Sequence, residues 1–183
     1  QILNDIVNAD SLNLIDLQFH TSFPGDDPFN QQNPYVTSSR LLYYGLTNVP
    51  YSLLNGGPNS WYRFDYDFRP LDENMLLVES LYDSKFWINI NSQLNGNLLN
   101  IEAEVTALQD VPTGEFSVHI AVIERKITGV EGINGETSFE NVVKAFLPDA
   151  GGSTFYKSWS KGEYQYLYQT WTLQNVYNPD ELR

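Results

Sequence analysis

Residues 85–108 read KFWININSQLNGNLLNIEAEVTAL, and this stretch decides the fold class. Apolar and polar residues alternate through 85–92 and again through 97–108, which is the period of a β-strand. The Asn95-Gly96 pair between the two segments has the backbone freedom that a tight hairpin turn requires. We therefore predict two antiparallel strands, paired around this turn, within a β-rich protein.

The rest of the second part of the chain has the same character. A helix is predicted at 73–82 after a capping Asp72, and a second helix at 138–147, which Pro148 ends. Residues 59–183 are therefore predicted to form an antiparallel β-sandwich domain with two helical insertions. The further predicted strands cover 61–69, 116–127 and 164–173.

Residues 1–58 follow a different pattern. Short apolar segments with helical spacing alternate with continuous apolar segments of strand length. This alternation predicts an α/β unit, so the expected fold class is α+β, with the α/β unit followed by the sandwich. The predicted helices cover 1–9 and 38–44, the predicted strands cover 12–20 and 49–54, and a polar loop covers 21–34.

Composition limits the classes of partner. The chain has 10 Lys and Arg against 23 Asp and Glu, for a formal net charge of −13. This balance repels phosphate backbones and anionic lipid surfaces, so we expect no nucleic-acid partner. The chain has no Cys, which excludes disulfides, thiolate nucleophiles and Cys-ligated zinc within this sequence. No apolar run approaches the ~20 residues of a membrane-spanning helix, so no transmembrane segment is expected.

Two histidines are candidates for catalysis. His20 ends a predicted strand beside Asp26 and Asp27, which allows an Asp–His pair, and His119 lies within a predicted strand. Neither accompanies the Gly-x-Ser-x-Gly motif of hydrolases or the His-Glu-x-x-His spacing of zinc enzymes. We therefore predict structural or surface roles for both histidines.

Carboxylates recur at alternate positions of two predicted strands. Asp65 and Asp67 share one strand face, and Glu102 and Glu104 share another. A glycosidase needs two carboxylates facing one sugar, with the pKa of one raised by burial. Pairs on amphipathic strands are more typical of a solvated outer face, so the sequence predicts no enzymatic activity.

Calcium is the one cofactor that remains open. Asp26, Asp27 and Asn30 lie in one polar segment and carry the oxygen ligands that Ca²⁺ prefers. The segment lacks the spacing of a known calcium loop, and the same residue types serve turns for local reasons. Both interpretations stay open, and no other cofactor is predicted.

Aromatic residues supply a candidate contact surface. Tyr164, Tyr166 and Tyr168 alternate along the last predicted strand and therefore share one face, and Trp87 and Trp171 lie in strands of the same domain. Aromatic residues in strands commonly fill a core, but three tyrosines on one face exceed what a dry core needs. We predict a contact surface for a partner protein or a glycan.

Several short runs resemble a known family. In the first part they are FHTSFPGDDP (19–28), YYG (43–45), VP (49–50) and LNGG (54–57), and in the second part HIAVIE (119–124), NGET (134–137), LPDAGG (147–152) and NVY (175–177). Together they resemble the outer-membrane-protein-28-like family of Bacteroidota. The resemblance implies a partial thioredoxin-like domain over 1–58 and an immunoglobulin-like β domain over 59–183. It also implies a cis-proline at Pro50.

The resemblance carries further expectations about the whole protein. It implies that the chain is a fragment, with any redox motif upstream of Gln1 and more chain beyond Arg183. Family members are surface or secreted proteins, often exported by the type IX route, and the Asn-rich, Lys-poor composition is typical of exported Gram-negative proteins. We therefore expect the extracellular face of the outer membrane, or secretion, as the location.

The predicted function is a non-enzymatic binding or scaffold protein at the cell surface, with a protein partner there. One alternative is a thioredoxin-like oxidoreductase whose Cys motif lies upstream of this chain. The other is a carbohydrate-binding module that uses the aromatic surface. A Cys-x-x-Cys motif with insulin-reducing activity distinguishes the first alternative, and glycan binding distinguishes the second.

Overall fold

A computed structural model describes residues 14–183, and the helix predicted at 1–9 lies outside them. Among the described residues, 42% are in strands and 17% are helical, and most strand pairs are antiparallel. The β-rich class indicated by the hairpin sequence is therefore confirmed.

The chain packs as two compact units that interleave along the sequence. The first comprises the described residues up to Tyr82 together with Glu124–Val143, and the second comprises Asp83–Ile123 together with Lys144–Arg183. The boundary expected between residues 58 and 59 lies within the first unit, in the segment that joins two paired strands.

The first unit contains the helices. Its elements are α1 (Pro28–Gln32), α2 (Pro34–Tyr44), β1 (Tyr51–Leu53), a 3-10 turn (Ser60–Tyr62), β2 (Arg63–Asp65) and α3 (Glu73–Glu79). Strands β1 and β2 pair antiparallel, with Ser52 opposite Phe64. The Phe64 side chain is fully buried with Leu71 and Leu76. No helix within residues 14–183 has the length and apolar character needed to cross a membrane.

Local signals explain where these helices begin and end. The Asp27 side chain accepts hydrogen bonds from two backbone N–H groups at the start of α1, and the Asp72 side chain accepts one at the start of α3. Gly45, which ends α2, has a φ of 65°, a conformation that glycine adopts without strain. The cap predicted at Asp72 is therefore confirmed.

Two predictions for this part of the chain are wrong. The segment 21–34 is not a loop throughout, because Asp27 and Pro28 start α1 inside it. Residues 14–20 form no strand beyond one bridge, in which Gln18 pairs with Val142. The continuous run of apolar residues favoured a strand there. A strand also needs a neighbouring strand to pair its backbone groups, and the sequence does not reveal whether one is present.

The second unit is built from strands. In chain order these are β3 (Phe86–Asn95), β4 (Leu98–Ala107), β5 (Val111–Val118), β6 (Ile120–Thr128), β7 (Ser138–Leu147), β8 (Ser153–Trp159) and β9 (Tyr164–Thr172), of which β6 and β7 also contribute residues to the first unit. Strand β4 lies between β3 and β9 in a three-stranded antiparallel sheet. Strand β5 pairs with β8, and β6 pairs with β7.

The predicted hairpin is confirmed. Strands β3 and β4 pair over their full length, from Phe86 opposite Ala107 to Asn95 opposite Leu98, and Gly96 in the turn has a φ of 63°. Every second residue of β4 is buried. These side chains define the inner face of the three-stranded sheet. They pack in one core with Val111 and Trp159 of the β5–β8 pair and Val122 of the β6–β7 pair, so three sheets share this core. The buried side chains of β4 are Leu99, Ile101, Ala103, Val105 and Ala107.

The helix predicted at 138–147 is wrong, because these residues form β7. Phe139, Val142, Val143 and Phe146 have the spacing of a helix face, but almost the whole segment is buried and it pairs with β6. When both faces of a strand are buried, its pattern of apolar residues no longer distinguishes strand from helix.

The single strand predicted at 116–127 is also wrong. It is two strands, β5 and β6, that separate at His119. Before this point β5 pairs with β8, and after it β6 pairs with β7. The continuous apolar pattern therefore covers two strands that belong to different pairs. Strand β8, which no pattern in the sequence predicted, supplies the partner that β5 requires.

Candidate functional site

The predicted tyrosines lie on the outer face of the three-stranded sheet, which is the side opposite its core. Antiparallel register aligns one residue from each strand into rows that run across this face. From one end the rows are Trp87–Thr106–Tyr164, Asn89–Glu104–Tyr166 and Asn91–Glu102–Tyr168. Tertiary structure therefore brings Trp87 and the three tyrosines, which are far apart in sequence, onto one surface, which we call the outer face.

Two tyrosines are tied to the glutamates opposite them. The Tyr166 side chain hydrogen-bonds to Glu104, and the Tyr168 side chain hydrogen-bonds to Glu102. The Thr106 hydroxyl also donates to Glu104, at 3.0 Å from Oε1. Glu104 therefore has two hydrogen-bonded neighbours on the outer face, and Glu102 has one.

The same contacts shift two phenol pKa values. The hydrogen bond to Glu104 and the negative charge of that carboxylate raise the pKa of Tyr166. Partial desolvation, followed by the charge of Glu102, raises the pKa of Tyr168. Both phenols are therefore protonated at neutral pH, and their O–H groups donate to the carboxylates.

The aromatic rings of the outer face are open to solvent. The centroids of Tyr164 and Tyr166 are 5.5 Å apart, and those of Tyr166 and Tyr168 are 6.1 Å apart. Trp87 lies on the same face, on the other edge strand β3, and is 50% exposed. Exposed aromatic rings in contact with one another do not contribute to a buried core. They form a surface on which a partner can stack.

Trp171 is separated from the other four predicted contact residues. It lies opposite Leu99 and is partly buried against the core, so it belongs to the inner face. The alternation of β9 contains this information, because residue 171 is odd-numbered and the three tyrosines are even-numbered. Trp171 stabilises the sheet from below the contact surface.

His20 and Asp27 do form the pair that the sequence allowed. The distance from His20 Nδ1 to Asp27 Oδ2 is 2.9 Å. The His20 ring makes edge contacts with Phe29 and Phe139, at centroid distances of 4.7 and 5.6 Å. No hydroxyl among the described residues bonds to this imidazole, so the pair works as part of a packed cluster.

The calcium candidates serve the same cluster. Asp27 uses Oδ1 to accept from the backbone N–H groups of Phe29 and Asn30, each at 2.9 Å, and uses Oδ2 for His20. The Asn30 amide donates to the His20 carbonyl at 2.9 Å, while Asp26 is exposed. Within residues 14–183, no three His, Cys, Asp or Glu side chains are grouped closely enough to hold a metal ion.

His119 and Pro50 both lie outside the outer face and outside the His20–Asp27 cluster. His119 is exposed between β5 and β6, and its ring lies against Gly152, where a side chain would collide with it. The Val49-Pro50 peptide bond is cis, as the resemblance implied. The Phe23-Pro24 and Leu147-Pro148 bonds are also cis, so this geometry is not particular to Pro50.

Comparison with known proteins adds no homologue, because no family model, curated protein or solved structure matches this chain. The chemistry of the outer face is therefore the basis for a functional assignment.

Proposed function

We propose that this chain is a non-enzymatic binding module whose contact surface is the outer face, and that its ligand is an uncharged glycan. One observation carries the proposal: four exposed aromatic residues share this face with Glu102 and Glu104, which the tyrosines hold in place. Preformed positions of this kind lower the entropy that binding has to overcome.

The charge of the face selects against anionic ligands. Its three rows contain two carboxylates and no Lys or Arg, in a chain of net charge −13. Sugar rings combine apolar faces with hydroxyl groups. The aromatic rings can stack on the apolar faces of the sugar. The carboxylates can accept hydrogen bonds from its hydroxyl groups, and the amides of Asn89 and Asn91 can accept or donate them.

A protein partner fits the same face less well. The centre of a protein–protein interface is usually depleted of charged residues, Glu among them. Here Glu102 and Glu104 occupy the middle strand, and covering them with protein requires partners for both carboxylates. The observations therefore favour a glycan, and a protein ligand becomes an outcome of the test.

We propose a non-enzymatic function because both histidine side chains make packing contacts. His20 is packed into a cluster with Phe29 and Phe139, and His119 lies beside Gly152. The oxidoreductase alternative depends on a Cys pair outside this sequence, because the chain has no Cys. A longer chain with Cys-x-x-Cys and insulin-reducing activity would support it.

The proposal places the module at the extracellular face of a Gram-negative outer membrane or among secreted proteins. This location, the thioredoxin-like first part and the immunoglobulin-like sandwich rest on the family resemblance and the composition. Cell fractionation with an antibody against the chain, followed by protease treatment of intact cells, tests the location. Protection from protease in intact cells contradicts exposure at the surface.

Binding to a glycan array that contains neutral and uronic-acid polysaccharides tests the ligand class. We expect binding to neutral glycans only, lost in Trp87→Ala and Tyr168→Ala. Trp61→Ala is the matched control, since Trp61 is an exposed tryptophan of the first unit. Absence of glycan binding, with capture of a surface protein that depends on Trp87, would replace the glycan by a protein ligand.

A further inference from the structure

Strand β3 has an open edge. Among the strands of residues 14–183, it hydrogen-bonds to β4 alone. The Leu108 N–H donates to the Lys85 carbonyl at 2.9 Å, and the pairing then continues without a shift. In an antiparallel pair the direction of the backbone groups alternates, so the odd-numbered residues of β3 bond to β4. The even-numbered residues direct their N–H and C=O groups away from the sheet.

The side chains of these even-numbered residues lie on the inner face. Phe86 at the start of β3 packs against the core, but Ile88 and Ile90 are not covered. Ile88 and Ile90 lie opposite the buried Val105 and Ala103, yet they are 54% and 56% exposed. The other edge strand differs, since Leu167 of β9 is only 6% exposed. An apolar strip therefore runs along β3 beside its open backbone groups.

The edge also lacks the features that normally prevent strand addition. Natural edge strands are blocked by charged residues, proline or bulges. The ten residues of β3, FWININSQLN, contain no charge and no proline, and their register with β4 is unbroken. In an acidic chain with 23 Asp and Glu, this uncharged strand is a natural place for another strand to pair.

We infer that β3 pairs with β3 of a second copy of this chain, forming a two-fold symmetric dimer with one continuous six-stranded sheet. A two-fold axis at Ile90 sets Ile90 opposite the partner's Ile90 and Ile88 opposite the partner's Ser92. Both pairs involve even-numbered residues, so the open N–H and C=O groups of each copy meet those of the other.

Charge favours a second copy at this edge over other contacts between copies. Two chains of net charge −13 repel each other over most of their surface. Pairing through β3 sets no like charges directly opposite each other, because the strand has none. The contact also covers Ile88 and Ile90, which supplies the apolar burial that drives association. The inference is independent of the glycan proposal.

Sedimentation equilibrium of the chain over a range of protein concentration and salt tests this inference. We expect the mass to rise from 20.9 kDa toward twice that value as concentration increases. Added salt should promote the dimer, because it screens the repulsion between copies. Ile90→Lys should weaken dimerisation at least tenfold, since it places two like charges opposite each other at the axis. Ile15→Lys is the matched control, because Ile15 is 82% exposed in the first unit.

Hydrogen exchange identifies the interface. The amides of Ile88 and Ile90 should become protected as concentration increases, whereas the amide of Asn89, already directed at β4, should not change. A chain that stays monomeric at millimolar concentration overturns the inference and leaves the edge to a strand of a different protein. A dimer that Ile90→Lys leaves intact, or one without protection of these amides, overturns it equally.

Discussion

The side chain of Tyr166 hydrogen-bonds to Glu104, the residue directly opposite it on the neighbouring strand. Tyr168 has the same relationship to Glu102, so the contact repeats along the sheet. These contacts link the tyrosines of the outer face to its glutamates. Titration of the tyrosine phenols can therefore test them.

Glu104→Gln should lower the pKa of Tyr166 toward the ordinary tyrosine value of about 10. The substitution removes the negative charge and replaces the carboxylate acceptor, which raise this pKa, with a neutral amide. Ultraviolet or NMR titration of the phenols measures the change. Glu115→Gln, on the exposed side of β5, is the control. An unchanged Tyr166 titration in Glu104→Gln would show that this contact is absent in solution.

Stability should depend on pH through the same pair. The folded protein holds the Tyr166 and Tyr168 protons more tightly than the unfolded chain, because both pKa values are raised on folding. The stabilisation is fully present below about pH 10 and is lost as pH rises through the folded-state pKa values. Urea unfolding at increasing pH should show a smaller fall in unfolding free energy for Glu104→Gln. Equal falls in both proteins contradict this assignment.

Trp87→Ala and Trp171→Ala should have opposite effects. Trp87 is exposed on the outer face, so its loss should change the unfolding free energy by about 0.5 kcal/mol or less and weaken glycan binding at least tenfold. Trp171 packs on the core, and its loss should cost about 2–4 kcal/mol while the folded fraction still binds. Urea unfolding and calorimetric titration measure the two quantities. Equal loss of binding in both variants would place the ligand elsewhere.

Gly152→Ala should destabilise the protein through a close contact. A Cβ there would lie 2.6 Å from His119 Nδ1 and 2.7 Å from the Val118 carbonyl oxygen, and the residue has a φ of 74°. Gly162, with a φ of 83° and no neighbouring atom within 4 Å of its Cβ position, is the matched control.

The control isolates the collision from the backbone strain. We expect Gly162→Ala to cost about 1–2 kcal/mol through its left-handed conformation alone. Gly152→Ala should cost about 1–3 kcal/mol more because of crowding. Thermal and urea unfolding measure the difference, and equal costs would show that the His119 ring moves aside freely.

Asp27→Ala should destabilise the first unit. It removes a helix cap, worth about 0.5–2 kcal/mol, and also the partner of His20. Asp27→Asn should cost less, because Asn caps helices about as well as Asp. Asp26→Ala, at the exposed neighbouring position, should be nearly neutral. If Asp27→Ala is as mild as Asp26→Ala in urea unfolding, the cluster does not contribute to stability.

Local patterns in the sequence were enough for several elements. The hairpin at Asn95-Gly96, the Asp72 cap and the strand that carries Tyr164 and Tyr168 depend on neighbouring residues along the chain. Turn chemistry and a period of two act over a few residues, so they can be recognised without knowing the rest of the fold.

Tertiary structure decided the elements that are buried on both sides. Residues 138–147 have apolar residues at helical spacing but form β7, because they are buried on both faces and pair with β6. The apolar run at 116–127 divides at His119 because its two halves pair with different strands. Where every face is apolar, periodicity carries no information, and the available neighbours determine the structure.

The sequence by itself determined that three tyrosines share one strand face, since alternation along a strand is a property of the chain alone. It did not determine that Glu104 lies opposite Tyr166, that Trp171 supports the sheet from its other side, or that Ile90 is left exposed. These depend on which strands are neighbours, in what register, and how far the opposing sheet extends. Such relations join residues far apart in the chain, and only the packing of the folded chain selects them.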